Sequence, residues 1–118
     1  MNELNLRNYA YLGDAVWELF IREITILQTQ NAKDLHKITT DKVNAKIQHE
    51  FLLTIQDILT EEEIEIMRRG RNLSVPIARK SNQSDYRMAT AFEVLIGWWY
   101  KNNKSRLEYV EKILMEFL

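Results

Sequence analysis

Apolar residues recur along most of this chain at intervals of three and four residues, which is the spacing of one face of an α-helix. Alternating β-branched runs bounded by turn pairs, the pattern typical of strands, are almost absent. One proline and three glycines leave few positions at which a helix would break. The pattern therefore predicts an all-α fold, a bundle of helices.

The first half of the chain contains two predicted helical segments. The first covers residues 4–27, with an interruption at Gly13-Asp14, after which apolar residues continue at helical spacing. The second follows "QTQNAKD" and has its apolar positions between Leu35 and Leu52. Both segments are expected to bury one face.

The second half contains three more predicted helices. Thr60 and Glu63 form the pattern of a capping box before a short helix that Gly70 is expected to end. A longer helix is predicted from Ser84 or Asp85, and the last one opens at "SRLE", residues 105–108, which repeats the capping-box pattern. The stretch "GRNLSVPIARKSNQSD" between them contains the sole proline, and we expect residues 70–84 to form a mobile functional loop.

Composition limits the class of protein and the chemistry available to it. With 118 residues, 46% of them hydrophobic, residues 1–118 are expected to form a single domain. The chain has no cysteine, which excludes disulfides, a thiolate nucleophile and a Cys-ligated zinc site. The N-terminal residues do not resemble a signal peptide, and no apolar run approaches the roughly 20 residues of a membrane span. A cytoplasmic protein without membrane contact is expected.

Charge is sorted along the chain although the net charge is only −1. Six acids and no Lys or Arg lie between Glu50 and Glu65, whereas six Lys or Arg face a single Asp between Arg68 and Arg87. Guanidinium groups and short amides beside a polar loop can contact phosphate and sugar oxygens without reading bases. The segment from Arg68 to Arg87 is thus a candidate phosphate-binding surface, and a solvated basic loop without a ligand is the alternative.

Two carboxylates stand in apolar surroundings, Asp14 in "YAYLGDAVWELF" and Glu93 in "ATAFEVLIGWWY". An unpaired buried carboxylate costs on the order of several kcal/mol, so each needs a partner. Taken alone, Asp14 is explained by an N-cap after a glycine, and Glu93 by a rim position paired with Arg87 or Arg22. Taken together, two acids on distant helices near a basic loop suit Mg²⁺, which binds few protein carboxylates and keeps several waters.

Other chemistry has weaker support. His36 and His49 are too far apart in sequence for a helical metal pair, and Glu18 with Arg22 is most simply an i, i+4 surface pair. Gly-rich phosphate loops and nucleophile elbows are missing from the sequence.

The same motifs resemble those of the ribonuclease III family. "YAYLGDAVWELFIRE" resembles its signature helix and "TAFEVLIGWWY" its second acidic motif. The segments "LHKITTDKVNAKIQ" and "LTEEEIEIMRRGRN" are similar to those of the Mini-ribonuclease III group, small bacterial members without a double-stranded-RNA-binding domain. The resemblance covers nearly the whole chain.

The resemblance implies a homodimeric, Mg²⁺-dependent endonuclease domain that cleaves both strands of double-stranded RNA and matures the precursor of large-subunit (23S) ribosomal RNA, a task in which a ribosomal protein is a further candidate partner. Asp14 and Glu93 match the family's metal-binding and catalytic acids. Larger members carry two more acids, at the positions that are here Ala10 and Thr90. The reduced set leaves open how many metal ions bind.

Two further sets of residues are expected to form contacts with RNA and with a second copy of the chain. The residues expected to contact RNA are Arg68, Arg69, Arg71, Asn72, Arg79, Lys80 and Lys46. Tyr11, Leu12 and Trp17, on the signature helix, are expected at the dimer interface. Two alternatives remain: a helical dimer that binds structured RNA or a ribosomal partner without cutting, and a purely protein-binding adaptor.

Overall fold

The structure, a computed structural model, describes residues 5–73 and 83–118. They form six α-helices and a short 3₁₀ turn, and no strand occurs within these two ranges. The helices are α1 (Leu6–Thr25), α2 (Ala32–Val43), α3 (Ala45–Ile55), α4 (Glu61–Arg71), α5 (Gln83–Asn102) and α6 (Lys104–Met115), with the 3₁₀ turn at Gln56–Ile58. The all-α prediction is confirmed.

Helix α5 is the centre of the bundle. It packs against α1, α3, α4 and α6, with its most extensive contact on α1. Phe92, Leu95, Ile96 and Trp99 have no exposed surface. Because four helices pack around α5, a polar side chain on α5, such as that of Glu93, also lies close to a neighbouring helix.

Helices α1 and α5 cross at two glycines. A Cβ atom on Gly13 would lie 1.8 Å from the carbonyl oxygen of Glu93, and one on Gly97 would lie 2.0 Å from that of Tyr9. The two backbones are therefore in direct contact. The predicted interruption at Gly13 was wrong: α1 continues through it, because the glycine serves a close helix crossing rather than a turn.

Trp17 lies in the core of the chain. Its ring packs at 5.0–5.4 Å from the rings of Phe20, Phe51 and Phe92, and its indole nitrogen donates to the carbonyl of Lys42 over 3.1 Å. The side chain has no exposed surface. The prediction that Trp17 lies at a dimer interface was therefore wrong, since nothing of it is left to contact a second copy.

Two helix boundaries differ from those predicted because asparagines cap the helices. Asn44 separates α2 from α3, which were predicted as one segment, and its side chain accepts from the backbone of Ile47. The last helix begins at Lys104 with Asn103 as its cap, so the predicted capping box at Ser105 was wrong.

The capping box of α4 is confirmed and belongs to a larger network. Glu63 accepts from the backbone of Thr60, from the indole of Trp99 at 2.7 Å and from two nitrogens of Arg106 at 2.9 Å. Arg106 also donates to the carbonyl of Ile58. Burial raises the pKa of Glu63, but the hydrogen bonds outweigh it and leave the pKa below its ordinary value. This carboxylate ties α4, α5 and α6 together.

None of the helices described is both long enough and apolar enough to cross a lipid bilayer.

Candidate active site

Asp14 and Glu93 come together where α1 crosses α5. Gly13 lies against the backbone of Glu93, so the next residue of α1 is carried to the side chain of that glutamate. Both carboxyl groups line one open cavity of about 250 Å³. Asp14 is exposed, and Glu93 is partly buried on α5.

The pKa of Glu93 shows how closely the two acids interact. Burial, and then a hydrogen bond with Asp14 and the charge of Asp14, raise the pKa of Glu93 to about 8. Gln48 acts in the opposite direction. A second negative charge beside Asp14 is thus unfavourable at neutral pH, and a bound cation would relieve the repulsion.

The simpler explanations for these acids do not apply. Asp14 cannot cap a helix, because it lies two turns inside α1, whose N-cap is Asn5. The cations named as possible partners of Glu93 are engaged elsewhere. Arg22 pairs with Glu18 at 2.9 Å, the surface pair predicted from sequence, and Arg87 donates to the carbonyls of Arg71 and Leu73.

The rest of the cavity wall comes from α1, α5 and the end of α4. The other lining residues are Arg7, Ala10, Tyr11, Leu73 and Thr90. Ala10 and Thr90, the positions that the resemblance matches to further acids, thus face the same space as the two carboxylates. Among the described residues no cluster of three or more Asp, Glu, His or Cys side chains is available to hold a metal ion. A pair of carboxylates still fits Mg²⁺, which is often bound by one or two carboxylates with water completing its shell.

Four of the predicted RNA contacts lie at the end of α4, next to the cavity. Arg68, Arg69, Arg71 and Asn72 are exposed, and Leu73, which directly follows them, lines the cavity. The fork of Arg68 is bound to Glu65 at 2.6 and 3.0 Å. Arg71 and Asn72 are therefore better placed than Arg68 to meet a new anion.

The remaining predicted RNA contacts are less well located. Lys46 is exposed on α3. Arg79, Lys80 and most of the loop predicted to be mobile lie outside the described residues.

Of the predicted interface residues other than Trp17, Tyr11 is 85% exposed and Leu12 is partly exposed. Leu19 on α1 and Ile26, the residue that caps its C-terminus, are 60% and 64% exposed. Large apolar side chains in contact with water along one helix are typical of a surface that another molecule covers.

Two residues at the site were missed by the sequence analysis. Arg7 lines the cavity, and Gln48 lies on α3 beside Glu93 with 2% of its surface exposed. Periodicity could have found Gln48: it stands three and four residues before the buried Phe51 and Leu52, so it occupies the apolar face of its helix. No comparable pattern points to Arg7.

Fold and site together define a helical domain with a two-carboxylate cavity flanked by arginines, a class suited to phosphodiester chemistry. The chain belongs to the ribonuclease III domain family, whose model matches residues 7–104. As a member of that family it is an endoribonuclease, a hydrolase that cuts RNA at internal phosphodiester bonds.

The relatives confirm the resemblance to the small members of the family. The chain is 41% identical over 119 residues to Mini-ribonuclease 3 of Clostridium tetani, covering 98% of this chain and 79% of that protein. It is 37% identical over 117 residues to Mini-ribonuclease 3 of Gloeobacter violaceus, covering 99% and 87%. A crystal structure of a protein from Fusobacterium nucleatum superposes with a TM-score of 0.86 at 32% identity, covering 98% of this chain and 94% of that one.

Proposed function

We propose that this chain is a homodimeric, Mg²⁺-dependent endoribonuclease that cleaves both strands of double-stranded RNA, and that its substrate is the precursor of large-subunit ribosomal RNA. The observation that carries the proposal is the pairing of Asp14 with Glu93 in a cavity that the arginine-bearing end of α4 borders. The proposed substrate rests on the family resemblance, and the proposed cytoplasmic setting rests on the absence of cysteine from the sequence.

Asp14 and Glu93 would hold the ion. When bound, Mg²⁺ supplies activation of a water molecule and stabilises the charge that develops on the phosphate. Asp14, which is exposed, would hold the ion together with Glu93, which is partly buried on the central helix. The rigid crossing at Gly13 fixes the separation of the two carboxylates before any ligand arrives.

RNA would be recognised by its shape. The deep groove of A-form RNA hides the bases, so a protein meets mainly phosphates and 2′-hydroxyl groups. Arg69, Arg71 and Asn72 lie beside the cavity and supply donors of the required kind, and Arg79, Lys80 and Lys46 are further proposed contacts. Weak sequence preference follows from this mode of recognition.

The proposed dimer would use the outer face of α1. Tyr11, Leu19 and Ile26 are exposed there, and Tyr11 also lines the cavity. A second copy that covers this face would lie directly beside the carboxylates, which gives a dimer two neighbouring sites for two strands.

A cleavage assay with purified protein tests the proposal. A duplex RNA taken from the large-subunit precursor is incubated with Mg²⁺ or with EDTA, and a single-stranded RNA of the same composition is the control substrate. We expect cuts in both strands of the duplex with Mg²⁺ and none with EDTA. Glu93→Gln and Asp14→Asn should abolish cutting and retain duplex binding, whereas Glu18→Gln, which changes a partly exposed acid of α1 outside the cavity, should cut normally.

Intact duplex with every divalent ion, together with retained binding, would replace the proposal by a non-cutting RNA-binding dimer. Absence of duplex affinity even at low salt would point to a protein-binding adaptor instead.

A further inference from the structure

Gln48 is a polar residue on the buried face of its helix, where the other buried side chains are apolar. It lies on the face of α3 that packs against α5, and 2% of its surface is exposed. The nitrogen of its side-chain amide has no hydrogen-bond partner of good geometry among the described residues. A buried donor without a partner costs about 1–3 kcal/mol, so its presence calls for a reason other than stability.

The neighbour of this amide is Glu93. Gln48 lowers the pKa of Glu93, as a donor facing the carboxylate does, although the hydrogen bond is not closed in this structure. Among the described residues that line the cavity, Gln48 does not appear. It therefore belongs to the packed interior next to Glu93 and not to the cavity wall.

We propose that Gln48 is a positioning residue: its buried amide closes a hydrogen bond to Glu93 when the site is loaded and fixes the plane of that carboxylate toward the ligand in the cavity. This inference rests on the proposed two-carboxylate site and adds the group that orients it. Glu93 has a flexible side chain, and the other group that acts on it is Asp14, which would bind the same ligand. A neutral donor anchored in the core is a partner that does not compete for the ligand.

Residues that orient metal-binding side chains typically change affinity for the ion when they are replaced. Gln48→Met keeps the length and volume of the side chain and removes the donor. We expect the Mg²⁺ concentration for half-maximal cleavage to rise roughly 10- to 100-fold, with the KM for duplex RNA unchanged. The rise should be seen equally in binding of Mn²⁺ measured by electron paramagnetic resonance without RNA.

Thermal unfolding in EDTA separates this role from a structural one. Removing an unpaired buried donor should leave the melting temperature unchanged or raise it. A structural role predicts the reverse, a lower melting temperature with normal affinity for the ion. Gln56→Met, at an exposed position just past α3, is the matched control and should alter neither quantity. Gln48→Leu, a shorter apolar side chain, repeats the measurement where the methionine disturbs packing.

Normal affinity for Mn²⁺ and a normal Mg²⁺ requirement in a folded Gln48→Met protein would overturn the inference. Its failure is distinguishable from failure of the proposed function, because Glu93→Gln tests the latter in the same assays. If Glu93→Gln loses cleavage and Mn²⁺ binding while Gln48→Met keeps both, the two-carboxylate site stands and the orienting role of Gln48 falls.

Discussion

At the scale of single residues, the notable feature is a glutamate held under conditions that disfavour its charge. Burial and the neighbouring Asp14 raise the pKa of Glu93 to about 8, far above the ordinary value of 4.5. Acids with a strongly shifted pKa cluster at functional sites, because burial and like charges that favour binding of a cation disfavour the ionised carboxylate when no cation is bound. The raised pKa of Glu93 also makes the free energy of unfolding depend on pH, whether or not the chain is cutting RNA.

The raised pKa of Glu93 predicts a loss of stability with rising pH. The folded chain binds this proton more tightly than the unfolded chain, so the contribution is fully present below pH 4.5 and is lost as pH rises toward 8. In EDTA, Glu93→Gln should therefore be more stable than the natural chain at pH 8.5, by roughly 1–3 kcal/mol, and nearly equal to it at pH 4.5. Urea unfolding at both pH values measures the difference.

The control for this experiment is Glu18→Gln, which removes a partly exposed acid from a surface pair and should change stability by less than about 1 kcal/mol at either pH. Equal destabilisation of Glu93→Gln at both pH values would show that the glutamate is not strained in the folded chain.

At the scale of the helices, the close crossing of α1 and α5 decides where the acids lie. Gly13→Ala would place a methyl group 1.8 Å from the carbonyl oxygen of Glu93, and backbone cannot yield as a side chain can. We expect a loss of roughly 3 kcal/mol or more in the free energy of unfolding, since overpacking of this severity forces the helices apart. Cleavage should fall even in the folded fraction, because Asp14 moves away from Glu93.

Gly70→Ala provides the matched control for that substitution. Its added Cβ would meet Ala91 and Val94 at 3.1–3.3 Å, a contact relieved by a shift of a few tenths of an ångström. The gain in helix propensity, up to about 1 kcal/mol, should largely offset it. Circular dichroism melts compare the two alanine variants directly, and similar losses in both would contradict the role given to Gly13.

The network around Glu63 gives a second prediction at this scale. Glu63→Gln leaves the partly buried guanidinium of Arg106 without its carboxylate, and we expect a loss of roughly 1–3 kcal/mol. Because the pKa of Glu63 is lowered, its stabilisation is complete above the ordinary pKa of a glutamate and is lost in more acidic solution as pH falls through the folded value. Denaturant unfolding at neutral pH and at about pH 3 should show the variant's deficit shrinking in acid.

Glu65→Gln, on the same helix, breaks the exposed pair with Arg68 and should cost less than about 1 kcal/mol. A deficit in Glu63→Gln no larger than that of Glu65→Gln would contradict a structural role for the buried pair.

At the scale of the whole molecule, the exposed face of α1 predicts self-association. A Leu19→Glu, Ile26→Glu double variant should not form the proposed dimer, because two carboxylates from each chain would be buried without partners. Phe117→Glu, which alters an apolar side chain 61% exposed after α6, should stay dimeric. Light scattering coupled to gel filtration measures the mass, and an unaltered mass of the α1 variant would exclude this face.

The charged end of α4 predicts a graded effect on RNA binding. Arg71→Gln should weaken duplex binding for all sequences alike and reduce the slope of log K against log salt by about one. Arg68→Gln should have a smaller effect, because Glu65 already holds that guanidinium. Filter binding over a range of salt concentrations tests the order, and equal effects of the two variants would show that the pair with Glu65 opens on binding.

Much of this architecture follows from the sequence because its signals are local. Helical periodicity, the capping box at Thr60 and the absence of strand patterns depend on neighbours within a few residues, and the helical fold was predicted on that basis. Asp14 and Glu93 were identified because a carboxylate among apolar residues is unusual wherever it lies. The missed caps at Asn44 and Asn103 are also local, but asparagine is common in loops and does not by itself mark a helix start.

Other features depend on which helices meet, and a single sequence does not specify that. Gly13 reads as a break until the backbone of α5 is seen against it, and Trp17 is equally plausible in a core or an interface until Phe51 and Phe92 surround it. Gln48 becomes significant only when α3 brings it to Glu93. The sequence by itself determined the helices and the two acids, since periodicity and residue chemistry act over short range. The tertiary structure alone decided that the acids share a cavity and which groups stand behind them, because those contacts join residues that are far apart along the chain.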